Sequence, residues 1–148
     1  MITSTKGIEL IKKYEGFESE PYLCPAAVPT IGYGATYYPD GKRVTMDDEP
    51  ITEHYADFML RKMLGSYEEG VNRYVQTDIN QNQFDALVSF TYNLGLGAFK
   101  SSTLLKKINV DPNDETIPDE FRRWVKAGGV TLNGLVKRRE EEAQLYIS

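Results

Sequence analysis

Three side chains early in the chain have types and spacing that can do acid–base chemistry: Glu15, Cys24 and Thr30, in the pattern E-x8-C-x5-T. A carboxyl gives or takes a proton, a thiol is a weak acid or a nucleophile, and a hydroxyl holds a water. On a helical projection of residues 6–15, Ile8, Leu10, Ile11 and Tyr14 fall on one arc, and Lys6, Glu9, Lys12 and Lys13 on the other. Glu15 lies on the apolar arc, and Gly16 follows as a natural helix terminator. The negative end of the helix dipole and the apolar neighbours both disfavour the carboxylate anion, which suits a general acid. A helix-end glutamate can equally be a solvated, fraying residue, and a lone cysteine a small buried hydrophobe.

A free thiol with an ordinary pKa near ~8.5 is about 3% thiolate at neutral pH. Lowering that value takes a cation or a helix N-terminus, whereas the nearby charges here are Glu15, Glu18 and Glu20. The sequence therefore predicts a largely neutral Cys24 thiol that helps place water, with a thiolate nucleophile as the open alternative. The three residues sit within Lys13-Tyr14-Glu15-Gly16-Phe17 and Pro29-Thr30-Ile31-Gly32-Tyr33-Gly34. This stretch closely resembles the phage-type lysozymes, the endolysin family of glycoside hydrolase family 24, which carries Glu, then usually Asp, then Thr at this spacing. Cys24 stands where Asp is more common.

The resemblance extends along the chain. Asn80 to Gly95 is similar to the family's central helix, and Trp124-x3-Gly128-Gly129-x4-Gly134-Leu135-x2-Arg138-Arg139-x2-Glu142 matches its C-terminal region. It implies an N-acetylmuramidase that hydrolyses the β-1,4 bond between N-acetylmuramic acid and N-acetylglucosamine in peptidoglycan, for phage-induced lysis of the host. In the inverting arrangement it implies, Glu15 is the acid, and Cys24 and Thr30 orient water on the opposite face. It also implies substrate contacts from Tyr33 and Gly34, from Tyr92 and Asn93, and from Asn133. Two other readings stay open. One is a peptidoglycan-binding module silenced by the cysteine; the other is a cysteine hydrolase pairing Cys24 with His54, the only histidine.

The elements that must position these residues make an α+β, mainly helical chain. After Gly16, Pro21, Pro25 and Pro29 exclude a long helix up to Gly34. Stretches around Tyr22-Leu23, Thr30–Tyr33 and Lys42–Val44 fit a small antiparallel sheet, with a turn at Pro39-Asp40-Gly41. Thr52 caps a helix whose stripe runs Ala56, Met59, Leu60, Met63, Leu64, Tyr67 and Val71, with Gly65 and Gly70 as points of bending. Asn80 caps a helix that Gly95 and Gly97 end, and Ser101 or Ser102 starts a short one. Phe121, Trp124 and Val125 predict a helix ended by Gly128-Gly129. Asn133-Gly134 makes a turn before a final helix with Leu135, Val136, Leu145 and Tyr146 inward, on which Arg138 and Glu142 read as a solvated ion-paired face. The expected organisation is one domain over residues 1–148. Its approximate lobes are a sheet lobe at 15–51 and a helical lobe at 1–14 and 75–148, joined by a helix at 52–74.

Composition bounds the partners. At 148 residues, 41% hydrophobic and 26% charged, the chain reads as globular. A formal charge of −5 argues against nucleic acid and provides no long-range attraction to an anionic wall, so a glycan must be held by local stacking and hydrogen bonds. One cysteine forms no internal disulfide, and no Cys or His near it has metal-ligand spacing, so neither a metal nor a cofactor is called for. The opening Met1-Ile2-Thr3-Ser4-Thr5-Lys6 is not a secretory signal, and no apolar run spans a membrane. The expectation is a monomer that accumulates in the host cytoplasm and reaches peptidoglycan with the help of a holin or another membrane-permeabilising factor.

Overall fold

The computed structural model describes residues 1–148. The chain forms seven helices and two short hairpins: α1 (Thr5–Glu15), β1 (Glu18–Leu23), β2 (Pro29–Gly32), α2 (Glu53–Tyr74), α3 (Gln81–Leu94), α4 (Leu96–Lys100), α5 (Thr103–Val110), α6 (Ile117–Arg122), β3 (Lys126–Ala127), β4 (Val130–Thr131) and α7 (Asn133–Ile147). This is a mainly helical α+β chain. It divides into two compact units, one of Met1–Leu10 with Ser66–Ser148 and one of Ile11–Gly65. Helices α1 and α2 each run through a boundary between them.

The second unit is built on the β1–β2 hairpin. Its core is Ile31, Ala35, Val44 and Met59, with Tyr38, Ile51 and Met63 packed against them. The expected third strand does not join this sheet. Lys42–Val44 folds back on its own loop instead, through Tyr38 N–H to Lys42 O at 2.8 Å and Val44 N–H to Thr36 O at 2.9 Å. Gly41, with φ 89°, makes the tight turn that brings the two arms together.

In the first unit, α3 carries a complete capping box. The Asn80 side chain accepts from Gln83 N–H while the Gln83 side chain accepts from Asn80 N–H. Gly95 ends α3, its N–H reaching Thr91 O at 2.7 Å, and Ser102 caps α5. Gly97 does not terminate α3 but lies inside α4. Phe90 meets the rings of Phe99, Phe121 and Trp124 edge-on at 5.6–6.2 Å.

The start of α1 is capped from far away in sequence. Asp85 on α3 accepts from Ser4 N–H at 3.0 Å and from the Ser4 hydroxyl, while Glu68 accepts from Thr3 N–H at 2.7 Å and Thr3 Oγ1 at 2.6 Å. Two carboxylates at the positive end of a helix dipole replace the local capping box the sequence lacks. This approach needs Gly7: a Cβ there would lie 2.7 Å from Thr3 Cγ2 and 2.8 Å from Asp85 Cγ. Gly7→Ala, which in an open helix would stabilise by about 1 kcal/mol, is expected to destabilise by roughly 1–2 kcal/mol net because of this crowding. A urea midpoint that rises instead would show that the contact can yield.

Helix α2 is continuous through Gly65 and Gly70. Gly70 is there for packing rather than bending, since a Cβ would press on Leu96 Cδ1 at 2.7 Å. The expected helix around Trp124 stops earlier, at Arg122, and Gly128 and Gly129, with φ 58° and 79°, close the β3–β4 hairpin. Asn133 and Gly134 open α7 itself rather than a turn before it.

The largest departure from expectation is on α7. Val136 is exposed, whereas Arg138, Arg139 and Glu142 are buried, the last two at 0%. Glu142 Oε2 accepts from Ser89 Oγ at 2.6 Å and from Arg138 Nε at 3.2 Å, and Glu142 Oε1 lies 2.7 Å from Arg139 Nε. That last contact is a close ion pair without an aligned hydrogen bond, and both atoms are otherwise enclosed. The guanidinium of Arg139 also lies over the Phe90 ring, 5.4 Å from its centre. The inward face of this helix is ionic because α3 presents Ser89 and Asn93 to it, so polar partners rather than solvent complete its charges.

Candidate active site

Glu15 is the last residue of α1 and is half-buried. Gly16, at φ 71°, stops the helix with its N–H on Lys12 O at 2.9 Å. Strands β1 and β2 then pair antiparallel, Tyr22 opposite Thr30 and Leu23 opposite Pro29, after an irregularity between Glu18 and Tyr22. Strand alternation places Tyr22, Cys24 and Thr30 on one face.

The turn joining the strands surrounds the thiol. Cys24 N–H donates to Val28 O at 3.1 Å, and Ala27 N–H donates to Cys24 O at 2.8 Å. Ala27 adopts φ 60°, a left-handed conformation unusual for a side-chain-bearing residue. The backbone amides of Val28 and Ala26 are the largest influences on the Cys24 thiol. They, the Thr30 hydroxyl and the residue's own N–H hold the thiol below its ordinary value, against a smaller effect of burial. The Thr30 hydroxyl has one proton and donates it to Val28 O at 2.8 Å, so the two turn amides outweigh it in lowering the thiol.

This differs from the thiol of ordinary acidity expected above. The neighbouring acids were legible from sequence, but the direction of backbone N–H groups in the turn was not. Alkylation of Cys24 by iodoacetamide is expected to show a pH midpoint below the ~8.5 of a free thiol. A midpoint at or above that value would mean that the amides do not reach the sulfur.

Tyr22 is a member of this group that sequence reasoning used only as a strand residue. Burial raises its phenol first, and the charges of Glu15, Glu18 and Cys24 raise it further. It is therefore a neutral O–H within the electrostatic reach of both Glu15 and Cys24. Its position two residues before Cys24, on a strand of period two, was the available signal.

The other predicted residues divide between the units. Tyr33 is only 3% exposed, its hydroxyl donating to Glu53 Oε1 at 2.9 Å and its ring 5.7 Å from that of Phe17. Gly34, at φ 85°, belongs with Gly32 to the tight turn that lets Ile31 bridge Ala35. In the first unit, Tyr92 and Asn93 occupy the last turn of α3. Tyr92 packs edge-on against Tyr67 at 5.3 Å, and Asn93 Oδ1 accepts from Arg139 Nη2 at 2.7 Å. The buried ionic cluster thus orients Asn93, leaving its amide N–H groups as donors. Asn133 is exposed at the start of α7. His54 is exposed in the first turn of α2, while the groups that act on the Cys24 thiol are amides and a hydroxyl.

What the second unit can do chemically is therefore specific: one carboxyl at a helix end, a neutral phenol beside it, and a thiol and hydroxyl sharing a hairpin end. Comparison with known proteins finds a matching family and similar chains. The phage lysozyme family matches residues 12–142. The chain is 43% identical over 148 residues to the endolysin of Bacillus phage B103, covering 100% of this chain and 55% of that one. It is 35% identical over 148 residues to the endolysin of Salmonella phage P22, covering 100% and 99%. The solved structure of the endolysin from Escherichia coli O157:H7 phage FAHEc1 superposes with a TM-score of 0.91 at 39% identity, covering 99% of this chain and 94% of that one. The chain spans about half the length of the Bacillus phage relatives it matches.

Proposed function

Because the chain belongs to the phage lysozyme family, we propose that it is an endolysin-type N-acetylmuramidase, hydrolysing the β-1,4 bond between N-acetylmuramic acid and N-acetylglucosamine in peptidoglycan. The observation that carries this reading is the hairpin end where the Cys24 thiol meets the Thr30 hydroxyl, with Tyr22 within reach of both Cys24 and Glu15. Glu15 gives its proton to the glycosidic oxygen as the bond to the anomeric carbon breaks. A water held by Thr30 and Cys24 attacks that carbon from the opposite face, and its proton passes to Cys24 where the thiol is ionised, the form that the turn amides favour. The outcome is inversion at the anomeric centre. Gly34, Tyr92, Asn93 and Asn133 serve as substrate contacts, with Asn93 positioned by Arg139, while the buried Tyr33 supports the turn at Gly34 rather than touching substrate. The protein works as a monomer, accumulates in the host cytoplasm and meets the wall after a separate holin or similar factor opens the membrane; no helix is long and apolar enough to cross one.

Product analysis on purified peptidoglycan tests the reading. New reducing ends at N-acetylmuramic acid, first released as the inverted anomer, are the expected result. Wall binding without new reducing ends would leave only a binding module. A variant series then tests the thiol: Cys24→Asp stays active because a carboxylate also takes the proton. Cys24→Ser keeps partial activity through water placement, and Cys24→Ala loses more. A retained anomer together with a mass adduct on Cys24 would instead make the sulfur a nucleophile.

A further inference from the structure

The second unit carries another concave surface that this chemistry does not use. Tyr37, Tyr38, Pro39, Met59, Lys62 and Met63 line a cavity of about 410 Å³. Its loop wall is stiff. The Tyr38 hydroxyl donates to Asp48 Oδ2 at 2.7 Å, and Thr45 holds the same carboxylate through its N–H at 2.8 Å and its hydroxyl at 2.6 Å. Burial and this bond push the Tyr38 phenol up to about 12, so it stays neutral and fixed.

Around this cavity the protein leaves aromatic faces in water. Tyr37 is 46% exposed, with the Arg43 guanidinium 5.3 Å from its ring centre. On α2, Phe58 is 44% exposed, with Lys62 Nζ 5.6 Å from its ring centre and the Tyr55 ring stacked at 6.0 Å. Tyr55, Phe58 and Lys62 recur at i, i+3 and i+7, one stripe of the helix. The unit's core of Ile31, Ala35, Val44 and Met59 is already buried, so its packing does not call for these rings to be there.

Flat aromatic rings match the C–H faces of pyranose sugars, and cations already seated on the rings match carboxylates carried by the same polymer. The chain's net charge of −5 repels an anionic polymer at long range, so attraction to one depends on local cations such as Arg43 and Lys62. We infer that this surface is a second glycan-binding site, which takes a peptidoglycan strand through its sugar faces and the carboxylates of its peptide branches. The inference rests on the muramidase reading for the identity of the glycan, and it assigns the surface to holding the wall rather than to cutting it.

The test separates binding from hydrolysis. In the Glu15→Gln background, cosedimentation with purified sacculi stripped of phosphate-bearing polymers measures binding alone. Tyr37→Ala with Phe58→Ala is expected to weaken binding about tenfold, as expected for losing exposed aromatic anchors. Lys62→Glu should weaken it and flatten its salt dependence, while Tyr37→Phe, which keeps the ring, should bind like the parent. Binding equal to the parent in the double variant would overturn the inference. So would a Tyr37→Phe protein as weak as the double variant, or binding by the parent only to unstripped walls. The muramidase reading itself fails in a different assay, the release of reducing ends by the wild-type protein.

Discussion

Glu15→Gln is expected to lower the release of reducing ends from purified peptidoglycan by at least about a hundredfold, the lower range for losing a general acid. The substitution keeps size and hydrogen-bonding capacity but removes the proton that the glycosidic oxygen must receive. Glu15 is half-buried at the end of α1, where Gly16 N–H on Lys12 O closes the helix independently of the carboxyl. The hairpin that holds Cys24 and Thr30 is built from backbone pairs that also do not involve it. The helix end and the hairpin should therefore keep their backbone pairing, and the loss should appear in kcat rather than KM. Near wild-type cleavage by a folded Glu15→Gln protein would remove Glu15 from the mechanism, and with it the assignment of the acid.

The second large effect is on stability. Glu142→Gln is expected to destabilise the first unit by roughly 3–5 kcal/mol, the cost of leaving a buried charge without its partner. Glu142 is the carboxylate between two buried guanidiniums, with the Ser89 hydroxyl as a further donor. Burial pushes this carboxyl above its ordinary value, and the guanidiniums of Arg139 and Arg138 act against that push. Removing the negative charge takes from Arg138 and Arg139 the buried carboxylate they share. The damage should also reach function, because Arg139 Nη2 holds Asn93 Oδ1 at 2.7 Å. A denaturant midpoint unchanged in Glu142→Gln would show that the cluster is solvated after all. Replacing Arg138, Arg139 and Glu142 together with apolar residues should cost less than the single change, since the three buried charges are then removed together.

The sequence by itself determined those features whose energetics are local. The stop of α1 at Gly16, the Asn80 cap and the Gly95 end of α3, the Thr52 cap and a helix start at Ser101 or Ser102, which the structure puts at Ser102, each depend on hydrogen bonds between residues a few positions apart. The E-x8-C-x5-T spacing was legible for the same reason, as a helix end followed by one hairpin. Tertiary structure decided what depends on partners distant in the chain. Arg138 and Glu142 at i,i+4 look the same on a wet face as on a dry one, and only the arrival of Ser89 and Asn93 from α3 made theirs dry. Gly70 read as a point of bending until Leu96 came close enough to exclude a Cβ, and at Gly7, on which the sequence was silent, Asp85 does the same. The acidity of Cys24 followed the nearby glutamates in sequence but the turn amides in space, because N–H groups are present at almost every residue and only backbone conformation decides which of them point at the sulfur.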